Sequence, residues 1–519
     1  MKRAFLSIAT AVVLIVAIAP TSAQTFPTDD PILRAIWTEG MENTQAYDLA
    51  QVLSDSIGPR LYGSPQAEGA NHWAVSKFQS WGIEARNEEY GTWRGWRRGV
   101  THVDMIAPWV RTLEAMMLSW SPGTNGPVEA ELAVLPHFAN AVDLESWLPT
   151  TAGKYVLISM PQTTCRPDAN WEEYATDESL EAMQEARGLA QDAWNQSMEA
   201  VGGESAVVEG LEAAGAAGVF RSRWPGNWGH QNISRAPTQS IPAIGLICED
   251  YGLLHRLVSN NQGPRVRVNA EAEALGDVPV YNTIAEIRGS ELPNEYIVLS
   301  AHLDSWDGGT GATDNGTGTV IMMETARILK QVLPNPKRTI VVGLWGGEES
   351  GLIGSRAFSE DHPEVVEGLQ AVFNQDNGTG RVVRISMQGL TGAAGLFGKW
   401  ISQVPTEITQ HIDLNLPGTP GGGGSDYASF VCHGAPSFSL SSLSWDYRYT
   451  WHTQRDTFDK IVFDEVKNNV VLTAMLTYLA SEDAERMPRD QRLMPTNPRT
   501  GEQMVWPACT PARRAYERP

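Results

Sequence analysis

The stretch Tyr296-Ile297-Val298-Leu299-Ser300-Ala301-His302-Leu303-Asp304 runs apolar and β-branched, then delivers a histidine and an acid. A short continuous apolar run closed by a Gly-rich loop is the pattern of a strand buried on both faces. Helical spacing follows from about Gly318 to Leu333. A second apolar run, Thr339 to Trp345, leads into Gly346-Gly347-Glu348-Glu349 and a short helix carrying Leu352, Ile353 and Phe358. Leu369 to Asn374, Val382 to Met387 and Ala435 to Leu440 read as further strands, and Asp464 to Leu479 as a closing amphipathic helix. This alternation predicts an α/β fold, a mixed twisted β-sheet flanked by helices.

Open α/β sheets hold their ligands in the crevice off the carboxyl ends of the strands. His302, Asp314, Glu349 and Asp376 fall at such ends, and His452 joins them from a late loop. Imidazole and carboxylate donors without thiolate suit zinc, and Glu348 beside Glu349 is a spare carboxyl group. Adjacent glutamates are ordinarily a solvated pair; behind a buried strand and two glycines they project into the crevice instead. Asp314-Asn315-Gly316-Thr317-Gly318 recurs as Asp376-Asn377-Gly378-Thr379-Gly380. Asn-Gly turns are common, but each of these begins on an acid near a strand end.

In His302-Leu303-Asp304 the alternation of a strand puts both polar side chains on one side. Asp304 is therefore expected to receive the imidazole N–H and orient the ring. Two Zn2+ ions would bring four positive charges, of which Asp314, Glu349 and Asp376 cancel three. The residual charge favours a hydroxide bridging the metals, since a bound metal lowers the pKa of water to about 7 and stabilises the oxyanion. The expected chemistry is hydrolysis. The other histidines, from His72 to His433, read as structural.

The beginning of the chain bears on compartment. Lys2 and Arg3 precede an apolar run from Ala4 to Ala19 closed by Thr21-Ser22-Ala23. That is the layout of a signal peptide at 1–23, so a secreted or periplasmic protein is expected. No other stretch approaches the ~20 apolar residues of a membrane span. The formal charge of −22, made more negative by loss of Lys2 and Arg3, repels phosphate backbones and argues against a nucleic-acid partner. Cys165, Cys248, Cys432 and Cys509 are too few and too far apart for a disulfide scaffold or a zinc finger. Three pairings are open, and Cys165 with Cys248 is preferred.

Residues 31 to 92 look helical, with a break from Gly58-Pro59-Arg60 to Gly63-Ser64-Pro65. Between 122 and 275 new short strands arise at Tyr155 to Ser159, Gly218 to Phe220 and Ala243 to Ile247, with an Ala/Glu-rich helical tract near 178 to 217. The expected division is a signal peptide (1–23), a discontinuous catalytic domain (24–121 and 276–486), a smaller α/β insert (122–275) and a C-terminal surface tail (487–519).

With these motifs together, the chain resembles the secreted dizinc exopeptidases that include bacterial leucine aminopeptidases and glutamate carboxypeptidases, and in layout most resembles their plasma, carboxypeptidase Q-like branch. The resemblance implies two Zn2+ per chain: His302 and Asp376 on one ion, Glu349 and His452 on the other, and Asp314 bridging. It implies Glu348 as the general base that passes a proton to the leaving amine, and a cis peptide at Asp314-Asn315. It also implies that 122–275, with Lys154-Tyr155-Val156-Leu157, Glu212-Ala213-Ala214-Gly215-Ala216-Ala217-Gly218 and Ile241-Pro242-Ala243-Ile244, is a protease-associated domain roofing the site.

Two positions depart from the family. Trp451 replaces the tyrosine that often precedes the last histidine ligand, though an indole N–H can still donate. Tyr427 follows Ser425-Asp426 where many relatives have a histidine. Asp426, Tyr427 and Trp451 are expected to contact substrate, and Arg448 or Arg455 to hold a carboxylate. The expected substrate is a short peptide or dipeptide, with the arginines favouring dipeptidase or carboxypeptidase-like use over aminopeptidase use; a homodimer is compatible with the fold. Three rivals stand beside this reading: a single-zinc glutaminyl cyclase, a non-catalytic receptor ectodomain of the same fold, and a binding module acting through the insert. The presence of all five donors, with both His302 and His452, favours the peptidase.

Overall fold

The structure, a computed structural model, describes residues 28–517; the signal-peptide reading of 1–23 lies outside them. Its main sheet is built around the strand Leu292–His302. Arg338–Trp345 pairs with it in parallel on one side and Leu369–Asn374 on the other. Beyond Leu369–Asn374 come Ser437–Ser442, in parallel, then Val382–Ser386, antiparallel, and Asp413–Asn415 at the edge. The sheet is mixed and flanked by helices, as expected from the apolar runs. Every residue of Arg338–Trp345 and of Leu369–Asn374 is buried, which is why those strands read as unbroken rather than alternating apolar runs.

The two faces of the sheet are covered differently. On one, Thr317–Val332 and Phe463–Glu482 pack with the N-terminal helices Pro31–Met41 and Ala46–Gln51 around Ile297, Leu299, Phe373 and Phe438. On the other, Trp345, Phe358 and Phe430 pack against Val298 and Val372. Helix Thr317–Val332 is so enclosed that Glu324 within it is fully buried. Its carboxylate accepts hydrogen bonds from Arg327 at 2.8 Å and from the backbone N–H of Gln45 at 2.8 Å.

The largest difference from expectation lies between 81 and 121. The N-terminal helices stop at Ser80, and Glu84–Ala107 forms a 24-residue strand paired antiparallel with Arg265–Ile287. Its alternation is broken by register shifts at Glu89/Gly91, Gly95/Trp96, Arg98/Thr101 and Met105/Ala107. Each bulge resets which residues face inward, so the period of two never runs long enough to be legible. The ribbon also crosses the expected insert boundaries. Its first half, paired with residues 276–286, borders Arg338–Trp345; its second, paired with 265–270, borders Val128–Val134. From there the sheet continues through Tyr155–Leu157, Gly218–Arg221 and Ala243–Leu246 to Ala115–Met117. Ala115–Met117, placed on the catalytic side of the boundary at 121, thus pairs with a strand from the insert.

Cys165 pairs with Cys248, the preferred bridge, and Cys432 with Cys509. The second bridge explains why the tail is more than a surface appendage. Although 487–517 form no helix or strand, Trp506 Nε1 donates to the Val431 carbonyl at 2.7 Å, and Arg514 pairs with Glu360 and Asp361. The Arg514 carbonyl accepts the Thr92 N–H at 2.8 Å. That approach demands a glycine at 91, where an added Cβ would stand 2.0 Å from the Arg514 oxygen. Gly91→Ala is therefore expected to cost about 1–3 kcal/mol and to lift the tail. Limited proteolysis should then cleave residues beyond Cys509 in the variant while sparing them in the parent protein.

Candidate metal centre

His302 ends its strand with the ring fully buried. Its Nδ1 lies 2.9 Å from the backbone oxygen of Asp304, which turns Nε2 toward the crevice. There Nε2 stands 3.0 Å from Asp376 Oδ1, 3.4 Å from Asp314 Oδ1 and 3.9 Å from Glu348 Oε2. His452, in the left-handed region at φ 55°, approaches from the opposite side. Its Nε2 is 2.9 Å from Glu349 Oε2 and 3.2 Å from Asp314 Oδ2. Asp314 thus turns one carboxylate oxygen to each imidazole. Donor atoms of His302, Glu348 and Asp376 lie within 4.8 Å of one another, as do those of Asp314, Glu349 and His452. All five expected ligands converge, and the Asp314-Asn315 peptide is cis, as the resemblance implied.

The supports for this cluster are mostly backbone groups. Asp456 accepts the N–H groups of Thr313 at 2.8 Å and Asp314 at 2.9 Å, fixing the loop that carries the central carboxylate. Asn315 Nδ2 donates to the Gln375 carbonyl at 3.0 Å, tying that loop to the one bearing Asp376. Arg60, completely buried, donates to the carbonyls of Leu303 (2.6 Å), Thr310 (2.7 Å) and Gly311 (2.9 Å). The break from Gly58 to Pro65 exists to deliver this guanidinium. Asp304 acts differently from expectation: its main-chain oxygen holds the imidazole, while its carboxylate, 3.7 Å from His302 Nδ1, accepts the N–H of Glu348 at 3.1 Å and of Glu349 at 3.4 Å.

Burial sets the electrostatics. It pushes Glu348 well above the usual carboxylate range; His302 opposes this, and Asp376, Asp426 and Glu349 reinforce it. Glu349 is raised to about 7 by burial and by Asp314, against His452. Burial disfavours charge on the two imidazoles, yet the surrounding carboxylates prevail, lifting His302 well above its ordinary value and His452 to about 9. The protein's own groups supply too little positive charge for so many buried acids. Glu349 Oε1 and Asp314 Oδ2 are buried without a hydrogen-bond partner. Unsatisfied carboxylate oxygens facing imidazole nitrogens suit a divalent cation.

These groups open onto a cavity of about 450 Å³, also lined by Gly423, Gly424, Arg356, Tyr447 and Trp451. Trp451 stacks on His452 with ring centroids 3.9 Å apart. The Tyr427 hydroxyl donates to the Gly423 carbonyl at 2.8 Å and so braces the glycine rim. Two expected contacts are corrected. Asp426 is fully buried behind His302, where burial raises it to about 7, and does not line the cavity. Arg448 is exposed and stacked 4.6 Å over the Tyr449 ring; Arg455 is engaged by Glu114 and the Gly229 carbonyl. Arg356 and Tyr447 were not anticipated. Tyr447 stands five residues ahead of His452, reached through the short helical turn Tyr447–Tyr449, so a search for tyrosine immediately before the histidine misses it. From within the segment expected to be an insert, the Ile233 N–H donates to the His452 carbonyl at 2.6 Å and Asn232 Nδ2 to the Trp451 carbonyl at 2.9 Å.

Residues 282–477 match the model of Peptidase family M28. The matched segment carries all five expected donors. Over a longer span the chain is similar to carboxypeptidase Q of Rattus norvegicus, 26% identical over 451 residues, covering 87% of this chain and 88% of that one. The Homo sapiens carboxypeptidase Q is 26% identical over 454 residues, with the same coverage. Among solved structures, the fold is similar to that of a peptidase M28 precursor from Shewanella amazonensis (TM-score 0.64, 24% identity, 88% of this chain and 97% of that one). It is also similar to a zinc aminopeptidase from Bacillus subtilis (TM-score 0.54, 20% identity, 86% and 96%). The match, the relatives and the donor set together make the chain a metallopeptidase.

Asp456 holds the Asp314 loop through the backbone N–H groups of Thr313 and Asp314. Asp456→Asn should therefore leave the fold intact while weakening divalent-metal affinity about 10–100-fold, measured by competition with a chromogenic chelator.

Proposed function

We propose that the chain is a zinc-dependent exopeptidase that hydrolyses dipeptides or short peptides outside the cytoplasm. The observation that carries this reading is the Asp314 carboxylate set between two imidazoles, with one oxygen 3.4 Å from His302 and the other 3.2 Å from His452. Such an arrangement supports two ions: His302 and Asp376 would hold one, Glu349 and His452 the other, and Asp314 both. When bound, zinc polarises the substrate carbonyl and acidifies water. The carboxypeptidase Q relatives and the Bacillus subtilis zinc aminopeptidase support the metal and the reaction class.

The chain's own residues do the rest. Glu348, which lines the cavity beside the two imidazole–carboxylate groups, takes the proton of the attacking water and delivers it to the leaving amine. Tyr447 is kept protonated chiefly by burial, with Asp314 and Asp376 adding to it, so its phenol can donate to the developing oxyanion. Arg356 is the cavity's cation and makes no ion pair with any described residue, which favours a substrate with a free carboxylate. The insert, hydrogen-bonded to the backbone of the His452 loop, supports a roof that admits small substrates. Two disulfides fit an oxidising compartment, and no helix among the described residues is long and apolar enough to cross a membrane.

Hydrolysis of dipeptides should vanish on chelation and return with zinc. Glu348→Gln should lower kcat by about 10²–10⁴-fold at unchanged metal content; full activity in that variant would overturn the assignment of the base. Arg356→Met should raise KM for dipeptides with a free carboxylate and leave their amides unaffected. A preference for amidated substrates in the parent protein would reverse the proposed polarity.

A further inference from the structure

Away from the metal centre, positive charge collects where a chain of net charge −22 offers no partner for it. The Arg94 guanidinium is sandwiched 4.6 Å from the Trp120 ring and 4.4 Å from the Tyr516 ring. Arg235 lies 5.5 Å from the same Trp120 ring, and Arg513 lies 4.8 Å over Trp93. None of these three arginines forms an ion pair with any described residue, although acids outnumber bases in the chain by 61 to 39. Arg94 Nε and Nη2, Arg235 Nε and Trp120 Nε1 are shielded from solvent and lack any acceptor. Arg94, Trp120 and Tyr516 line a cavity of about 620 Å³ between the long ribbon and the insert.

We infer that this cavity is an oxyanion-binding site, in which Arg94 and the Trp120 indole receive a carboxylate or an inorganic oxyanion and Arg235, stacked on the Trp120 ring, adds positive charge beside it. A guanidinium provides five N–H donors in a planar fork matched to such a group. Aromatic stacking holds the fork flat without consuming its charge. Buried donors with no acceptor are costly in a finished structure, so two arginines and an indole left unsatisfied together point to a missing acceptor. Burial draws Arg94 down to about 10, opposed by Tyr516 and aided by Arg235 and Arg513; an anion would relieve that mutual repulsion.

The nearest acid along the ribbon does not fill the role. Asp277 is the cross-strand partner of Arg94 and also lines the cavity, yet it is exposed and forms no ion pair with any described residue. Part of the site comes from the tail, since Tyr516 and Arg513 lie beyond the Cys432–Cys509 bridge. It is also linked to the metal centre through two ring contacts, Trp120 with Trp306 and Trp306 with His452, each with centroids 5.9 Å apart. The inference does not depend on the peptidase reading, because its test is a binding measurement.

The metal-loaded protein would be titrated with sulfate, phosphate and N-acetylglutamate at constant ionic strength set by sodium chloride, with calorimetry and tryptophan fluorescence as readouts. Saturable binding is expected, weakened at least tenfold in Arg94→Met and in Arg235→Met but retained in Asp277→Asn. Tighter binding of N-acetylglutamate assigns a carboxylate ligand, and tighter binding of sulfate or phosphate a free inorganic oxyanion; either supports the site. Because Arg94→Met removes an unpaired charge, its melting temperature without anion should match or exceed that of the parent. Should it fail to fold, Arg94→Lys keeps the charge and loses the fork, and must still weaken binding. Equal affinity in parent and arginine variants, or no saturable binding, overturns the inference.

Discussion

The structure depends on holding one carboxylate between two imidazoles. Asp314, with Glu349, Asp376 and Glu348 around it, gathers negative charge in a place where burial makes charge costly. No single strand could supply donors from so many directions. His302 comes from the end of one strand, Glu349 and Asp376 from the loops after its two parallel neighbours, and His452 from a loop far downstream. Parallel strands release their chains at the same edge. The order of the central strands is therefore what makes the cluster geometrically available.

Around that cluster the protein replaces solvent with fixed dipoles. Asp456 and Asp304 each accept two backbone N–H groups at the turns bearing the donors, and Arg60 ties down three carbonyls of the intervening loop. These contacts leave the crevice-facing carboxylate oxygens of Asp314 and Glu349 free while removing freedom from the backbone behind them. Such outer partners set donor orientation as much as the donors themselves do.

Much of this was legible in the sequence, for identifiable reasons. The strands carrying His302, Glu349 and Asp376 are buried on both faces and so appear as unbroken apolar runs, and the donors stand where those runs stop. The helix Thr317–Val332 announced itself by spacing alone. The ribbon Glu84–Ala107 did not, because four bulges interrupt its alternation and its exposed face is rich in arginine and glutamate. Arg356 and Tyr447 were hidden for a different reason: each reaches the cavity from a short helical segment whose own sequence records only packing. Asp426 misled because an acid beside a glycine loop looks solvent-facing, whereas its neighbours bury it.

The hydrogen bond from the Ile233 N–H to the His452 carbonyl carries an architectural consequence. His452 sits at φ 55° in a loop braced by its own turns, and one further restraint on it originates more than two hundred positions earlier in the chain. The segment around Ile233 is consequently not a detachable accessory. A trimmed protein lacking it would keep every donor residue in its sequence and yet lose the strut that sets one of them, so minimal catalytic cores of this architecture are better designed by retaining the segment 229–235 than by cutting at the apparent module edges.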